Sequence, residues 1–402
     1  MTVSDRPDVG EARGTAAGAR ADGGGVRPVL AEVRLSAFKR HRGAAFGLAP
    51  VTVFAGPGGS GKTSVLEALS LLALLGRGEA VEDAIAAVVR GGAGACAPQG
   101  GASDGQGRRG FRLGCSVAGP QGTVRLDLAV QTEPEVRVVG ERLTAGDRVL
   151  LSTALRDPAR RCVEAVRHTA DGAPGARTPL PDDRLVTASL PLRVAGSTPG
   201  QRLVVAAAEQ VLVALRSVFP VDPRPERMRG PVPVGDGRLR GGCDNLSAVL
   251  HRTRDECRTR HAALVAAARE ACAGPVAGVV TVERGGSGRV MAALDRGPLG
   301  LTPFDRLGDG ELRFLAMALV LLTGPDVLEM DHAAEVPAAL QAMTVLADGL
   351  DTGMDAVQTR QLLSLAARAT ARGHVRVAAT AYGTGWAGEG AEVIELGEAD
   401  GE

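Results

Sequence analysis

The most constraining feature of this chain is the run Gly56-Pro57-Gly58-Gly59-Ser60-Gly61-Lys62-Thr63. Before it lies a β-rich apolar stretch, residues 50–55, and after it Val65, Leu66, Leu69, Leu72 and Ala73 recur at helical spacing. The run satisfies G-x-x-x-x-G-K-[ST] in the one context where that pattern has a physical meaning, between a strand and an amphipathic helix. Glycines let backbone N–H groups curl around phosphate oxygens, and the helix N-terminus adds its positive dipole end. In such a loop Lys62 reaches the outer phosphates and Thr63 can hold a magnesium ion. Of 46 basic residues only Lys39 and Lys62 are lysine, so a lysine at this position is not background composition. The expected ligands are therefore ATP and Mg²⁺, held by Gly56 through Ser64.

Composition sets wider limits. A chain of 402 residues has room for one enlarged domain or a main domain with a second lobe. Apolar residues make up 45% but aromatic ones only 2%, so the core must be packed with Leu, Val and Ala. Acidic and basic residues balance at 46 each, which removes a global polyanion-binding signature while leaving local basic patches open. Six cysteines without a C-x-x-C pair point to neither zinc nor a disulfide framework. No apolar run has transmembrane length and the start lacks a secretory apolar stretch, so a cytoplasmic protein without membrane contact is expected.

Residues 1–28 read as a disordered tail, because they lack the large apolar side chains that offset the entropy of ordering. Residues 29–402 read as one P-loop head. Within it the glycine-rich segment 91–110 is expected to be a mobile loop, and 111–151 an antiparallel β section. Residues 156–184 are too polar to assign. The segment 185–275 is expected to form an inserted, mainly helical lobe, with helices over 201–217 and, as one long element, 244–273. A strand pair follows over 276–294. Helices are then expected over 311–323 and 356–372, with strands over 343–347 and 375–380. The predicted class is α/β.

Several motifs together resemble a known family. Leu35-Ser36-Ala37-Phe38-Lys39, then 51–63, then Val65-Leu66-Glu67-Ala68-Leu69 look like the opening of ATPase heads of the RecF and SMC type, an ABC-like P-loop fold. Asp222-Pro223-Arg224-Pro225 and Asp244-Asn245-Leu246 resemble the lobe of bacterial RecF-like ATPases. Leu307-Gly308-Asp309-Gly310-Glu311-Leu312-Arg313-Phe314 resembles their signature motif. Taken without the family, 308–311 is a tight turn giving a helix with an acidic N-terminus. The resemblance implies that Leu307 to Glu311 press on the nucleotide of an opposite subunit, in an ATP-induced homodimer that acts on DNA or on a protein partner.

Such a head needs an aspartate at the end of an apolar strand beside the P-loop, where it holds magnesium through water. Asp348 follows Val345-Leu346-Ala347 and precedes Gly353-Met354-Asp355, which resembles the D-loop. Asp331, after Val327-Leu328-Glu329-Met330, is the alternative, at a spacing nearer the usual one but on a poorer strand. Asp348 is preferred as catalytic and metal-side residue, together with Thr63. After either aspartate the water-polarising glutamate is missing, since Gly349 or His332 stands there, and Ala381-Tyr382 replaces the expected switch histidine. ATP hydrolysis is therefore expected to be weakened, and a nucleotide-dependent switch that hydrolyses poorly is the competing reading.

Overall fold

The computed structural model describes residues 27–101, 103–167, 177–284, 288–330, 336–337, 340–385 and 390–397. Strand β1 (Val29–Phe38) returns as β2 (His41–Gly47), and β3 (Val51–Ala55) then runs into the glycine loop. Every residue of β3 is buried, as a strand covered on both faces must be. The loop opens helix α1 (Lys62–Gly76), whose neighbour is α2 (Val81–Val88). Alternating apolar residues next build β4 (Arg109–Gly119), β5 (Gly122–Glu133), β6 (Arg137–Ala145) and β7 (Arg148–Ala154). The polar stretch left unassigned supplies β8 (Cys162–Arg167) and β9 (Arg177–Pro181). These strands form an eight-stranded antiparallel sheet in the order β2-β1-β4-β5-β6-β7-β8-β9.

Helices α3 (Val186–Arg193) and α4 (Pro199–Arg216) lead to β10 (Val218–Val221), and α5 (Pro225–Met228) is a single turn. A short β11 (Val232–Pro233) precedes α6 (Leu246–Glu256) and α7 (Arg258–Ala271). Strands β12 (Gly278–Glu283), β13 (Arg289–Asp295) and β14 (Leu301–Pro303) complete a small sheet with β11. The closing elements are α8 (Asp309–Leu322), β15 (Met343–Ala347), α9 (Ala356–Thr370), β16 (Val375–Ala381) and β17 (Glu392–Glu395). They complete a five-stranded parallel sheet in the order β10-β15-β16-β3-β17. The protein is thus an α/β fold in which a parallel sheet carrying the P-loop packs beside an antiparallel one.

Two apolar cores sit on opposite faces of the parallel sheet. Val345, Ala347, Val377 and Ala379 face the core built with α6 to α9, while Leu346 and Ala378 face the one shared by α1, α4 and the antiparallel sheet. This is the period of two expected of strands buried on both sides. Helix α1 lies between the sheets and is buried nearly all round, so it carries little amphipathic contrast.

Three sequence-based expectations are corrected. The helices of 185–275 are divided between the cores, with Val204, Ala207 and Val211 of α4 in one and Val249, Leu250 and Leu264 of α6 and α7 in the other, so they do not gather into a single lobe. The long helix expected over 244–273 breaks at Cys257, whose φ of −143° and ψ of 82° lie outside the helical region. The segment 91–110 is anchored in its middle: Cys96 is fully buried and its carbonyl accepts a hydrogen bond from the Lys39 N–H at 2.6 Å. Of the tail 1–28, all but residues 27 and 28 lies outside the described residues. No helix among the described residues is long and apolar enough to cross a membrane.

Candidate functional site

The loop between β3 and α1 is shaped by its glycines. Gly56, Gly59 and Gly61 have φ of 147°, 78° and 94°, all in the region that favours glycine. A Cβ at Gly56 would lie 2.2 Å from the Leu396 carbonyl oxygen, so the loop closes against the β17 end only because no side chain is there. Behind the loop the neutral His41 ring places Nε2 3.1 Å from the Gly61 carbonyl. Burial, reinforced by the Arg40 charge, holds His41 below the usual imidazole range against the opposing pull of that carbonyl.

Lys62 is 8% exposed and donates to the carbonyls of Gly56 at 2.6 Å and Pro57 at 2.8 Å. Its ammonium also lies 5.0 Å from the ring centroid of Tyr382, so loop carbonyls and a π-face hold the cation. The following residue, Thr63, has its hydroxyl 3.0 and 3.2 Å from the two carboxylate oxygens of Asp348. Asp348 is the first residue beyond β15, which lies one strand away from β3 across β16. Thr380, near the end of β16, donates to Asp348 at 2.6 Å and accepts from the Gly349 N–H at 2.7 Å, which fixes the carboxylate's orientation. Arg90 completes the set, its Nη2 lying 3.0 Å from the second Asp348 oxygen.

These groups line a cavity of about 510 Å³ together with Lys39, Arg40, Asp222, Arg313, Thr352 and Ala381. The residues present fit a magnesium–nucleotide. Among the described residues Ser60 Oγ is buried with no hydrogen-bond partner and the space around Gly58 and Gly59 is open, and Thr63 and Asp348 offer the hard oxygen donors that magnesium takes alongside phosphate and water.

Similar solved structures are SMC head domains. The Thermotoga maritima SMC head shares 12% identity over 91% of this chain and 94% of its own, with a TM-score of 0.42. The Pyrococcus furiosus SMC head with an extended coiled coil, bound to the C-terminal domain of ScpA, shares 10% identity over 89% and 90%, with a TM-score of 0.45. A third, an SMC head bound to the C-winged helix domain of ScpA, shares 10% identity at a TM-score of 0.44, over 88% of this chain and 90% of its own. No family model and no curated protein matches the chain.

The residues singled out from the sequence fall into three groups. Gly58 to Ser64 line the cavity with Asp348, and Gly56 and Pro57 close it from behind through Lys62. Leu307 to Glu311 do not line it: Leu307 is buried, Asp309 is paired with Arg229 at 2.5 Å, and Glu311 with Arg296 at 3.1 Å. Asp331 and His332 lie outside the described residues. Gly353 backs against Gly310, and Asp355 caps α9 by accepting from the N–H groups of Val357 and Gln358 at 2.8 Å each. Arg90 and Thr380 were not singled out, and Arg313 was named only as part of the 307–314 motif. Thr380 carried a usable signal, since it ends a legible strand beside the P-loop strand, whereas nothing in the local sequence marks Arg90.

Proposed function

We propose that this chain is a magnesium-dependent ATP-binding protein of the RecF/SMC-like head type, which pairs head to head when ATP is bound and turns ATP over slowly. The observation that most supports this reading is the contact between the Thr63 hydroxyl and the Asp348 carboxylate, beside a glycine loop whose lysine is held among carbonyls. In this reading Asp348, rather than Asp331, is the metal-side carboxylate, and Thr63 is the second metal-side group. When bound, Mg²⁺ neutralises charge on the outer phosphates. The chain's own groups do the rest: loop N–H groups bind phosphate oxygens, Lys62 exchanges its carbonyl partners for them, and Thr380 orients Asp348.

Slow turnover is favoured by one feature of the Asp348 turn. Gly349 has φ of 71°, and a Cβ there would meet Thr352 Oγ1 at 2.4 Å, so this turn disfavours any side chain, the water-activating glutamate included. The turn Leu307-Gly308-Asp309-Gly310-Glu311 is assigned to the partner's nucleotide, and the working setting is cytoplasmic, on DNA or a protein partner. The test is a titration of the purified protein with labelled ATP and Mg²⁺, run beside a phosphate-release assay. Binding should be tight, and Lys62→Ala should weaken it by about 2–5 kcal/mol, the usual effect of truncating a buried charged partner. Undiminished binding by that variant would sink the ATP assignment.

A further inference from the structure

Two carboxylates line the cavity, and only Asp348 has so far been given a role. The other, Asp222, is the first residue after β10, as Asp348 is after β15. The two strands are parallel neighbours in a register that sets Val221 opposite Ala347. Asp222 and Asp348 therefore leave the sheet side by side, with strands about 4.8 Å apart. The Asp222 N–H donates to the Gly241 carbonyl at 2.9 Å, which fixes the end of β10.

The carboxylates nearby differ in what already occupies them. Asp348 takes the Thr63 and Thr380 hydroxyls and the Arg90 guanidinium. Asp351 accepts the N–H groups of Tyr382 and Gly383 and does not line the cavity. Among the described residues the Asp222 oxygens accept no hydrogen bond within normal reach. Their partners are Arg224 at 3.8 Å and Arg313 at 3.9 Å, and the side chain is 52% exposed. A carboxylate with free lone pairs at the mouth of the phosphate cavity is what a general base requires.

Building on the ATP reading above, we infer that Asp222 replaces the glutamate that Gly349 cannot supply, acting from the neighbouring strand as the catalytic base. The water oxygen bonds to the terminal phosphorus as the bond to the bridging oxygen breaks, its electron pair leaving with ADP. The water proton passes to Asp222, which later returns it to solvent. Arg313, on α8 immediately after the 307–311 turn, lies within ion-pair range of Asp222 and ties the base to the element assigned to the partner subunit.

The experiment compares the full chain with Asp222→Asn and Asp222→Glu, reading labelled-ATP affinity, the identity of the nucleotide recovered from the protein, and the rate of phosphate release. Asn should bind ATP as the parent does, retain it as ATP rather than ADP, and release phosphate about 10²- to 10⁴-fold more slowly. Glu should restore part of the turnover. Parental turnover by the Asn variant would overturn the inference, as would a parent that binds ATP yet never forms ADP. Loss of ATP affinity in both variants would overturn it too, by assigning Asp222 to binding. A parent that fails to bind ATP would instead remove the ATP reading on which the inference rests.

Discussion

Behind the phosphate loop, the neutral His41 ring links residue chemistry to stability. Its folded-state pKa is lowered, first by burial and then by Arg40, whereas the unfolded chain takes up the proton near about 6.5. Protons therefore bind preferentially to the unfolded state, and the contribution of His41 to stability is complete above that value and lost as pH falls through the folded pKa. Urea unfolding at pH 7.5 and 5.5 should show a drop in midpoint for the parent that His41→Gln reduces, and an equal drop in both would refute the role. What was legible at this scale is what phosphate chemistry dictates. Gly56 to Thr63 can be recognised because few other residues form such a loop, and Asp348 because an apolar strand precedes it. Arg90 was not legible: it meets Asp348 across 258 positions, and its backbone is held by Glu67, which accepts its N–H, and by Lys39, which donates to its carbonyl. Such a role arises from tertiary contacts that no local pattern encodes.

Helix α1 shows how elements were read and misread. Its apolar residues at helical spacing predicted a helix, yet burial extends around the cylinder because sheets or helices cover every side. Leu72 is fully buried in the core with the antiparallel sheet, so Leu72→Ala should cost about 2–5 kcal/mol. Chemical denaturation that placed the loss below about 1 kcal/mol would show that α1 is not the shared spine of the two layers. The break at Cys257 was invisible because neither Gly nor Pro marks it; α6 and α7 turn there to reach different parts of one core. Strands β8 and β9 escaped notice for another reason, since they lie at the sheet's end, where exposed arginines and prolines dilute the alternation. By contrast α9 was expected over 356–372, and the structure starts it with a reciprocal cap between Asp355 and Gln358.

For the whole molecule, the proposal to test is that the 307–311 turn meets a second copy. Gly310 is a poor place to probe, because a Cβ there would lie 2.5 Å from the Gly353 carbonyl oxygen of its own chain, and Glu311 is already paired with Arg296. Gly308 has open space around it and is exposed, so a side chain there meets no neighbour within one subunit, and Gly308→Arg at this α8 N-cap costs only a few tenths to about 1 kcal/mol. Sedimentation with ATP should show this variant as monomer where the parent is dimer, with unchanged ATP affinity; equal dimer would refute the assignment of this turn to the partner. The α/β class and the P-loop strand were legible from periodicity and motif. The antiparallel section over 111–151 was legible as well; which strands pair in the parallel sheet was not, because β3 finds its partners β16 and β17 across hundreds of positions. Last, the ring beside Lys62 belongs to the one tyrosine in all 402 residues. Any tyrosine signal from this protein, once told apart from that of its single tryptophan, therefore comes from the ring beside Lys62.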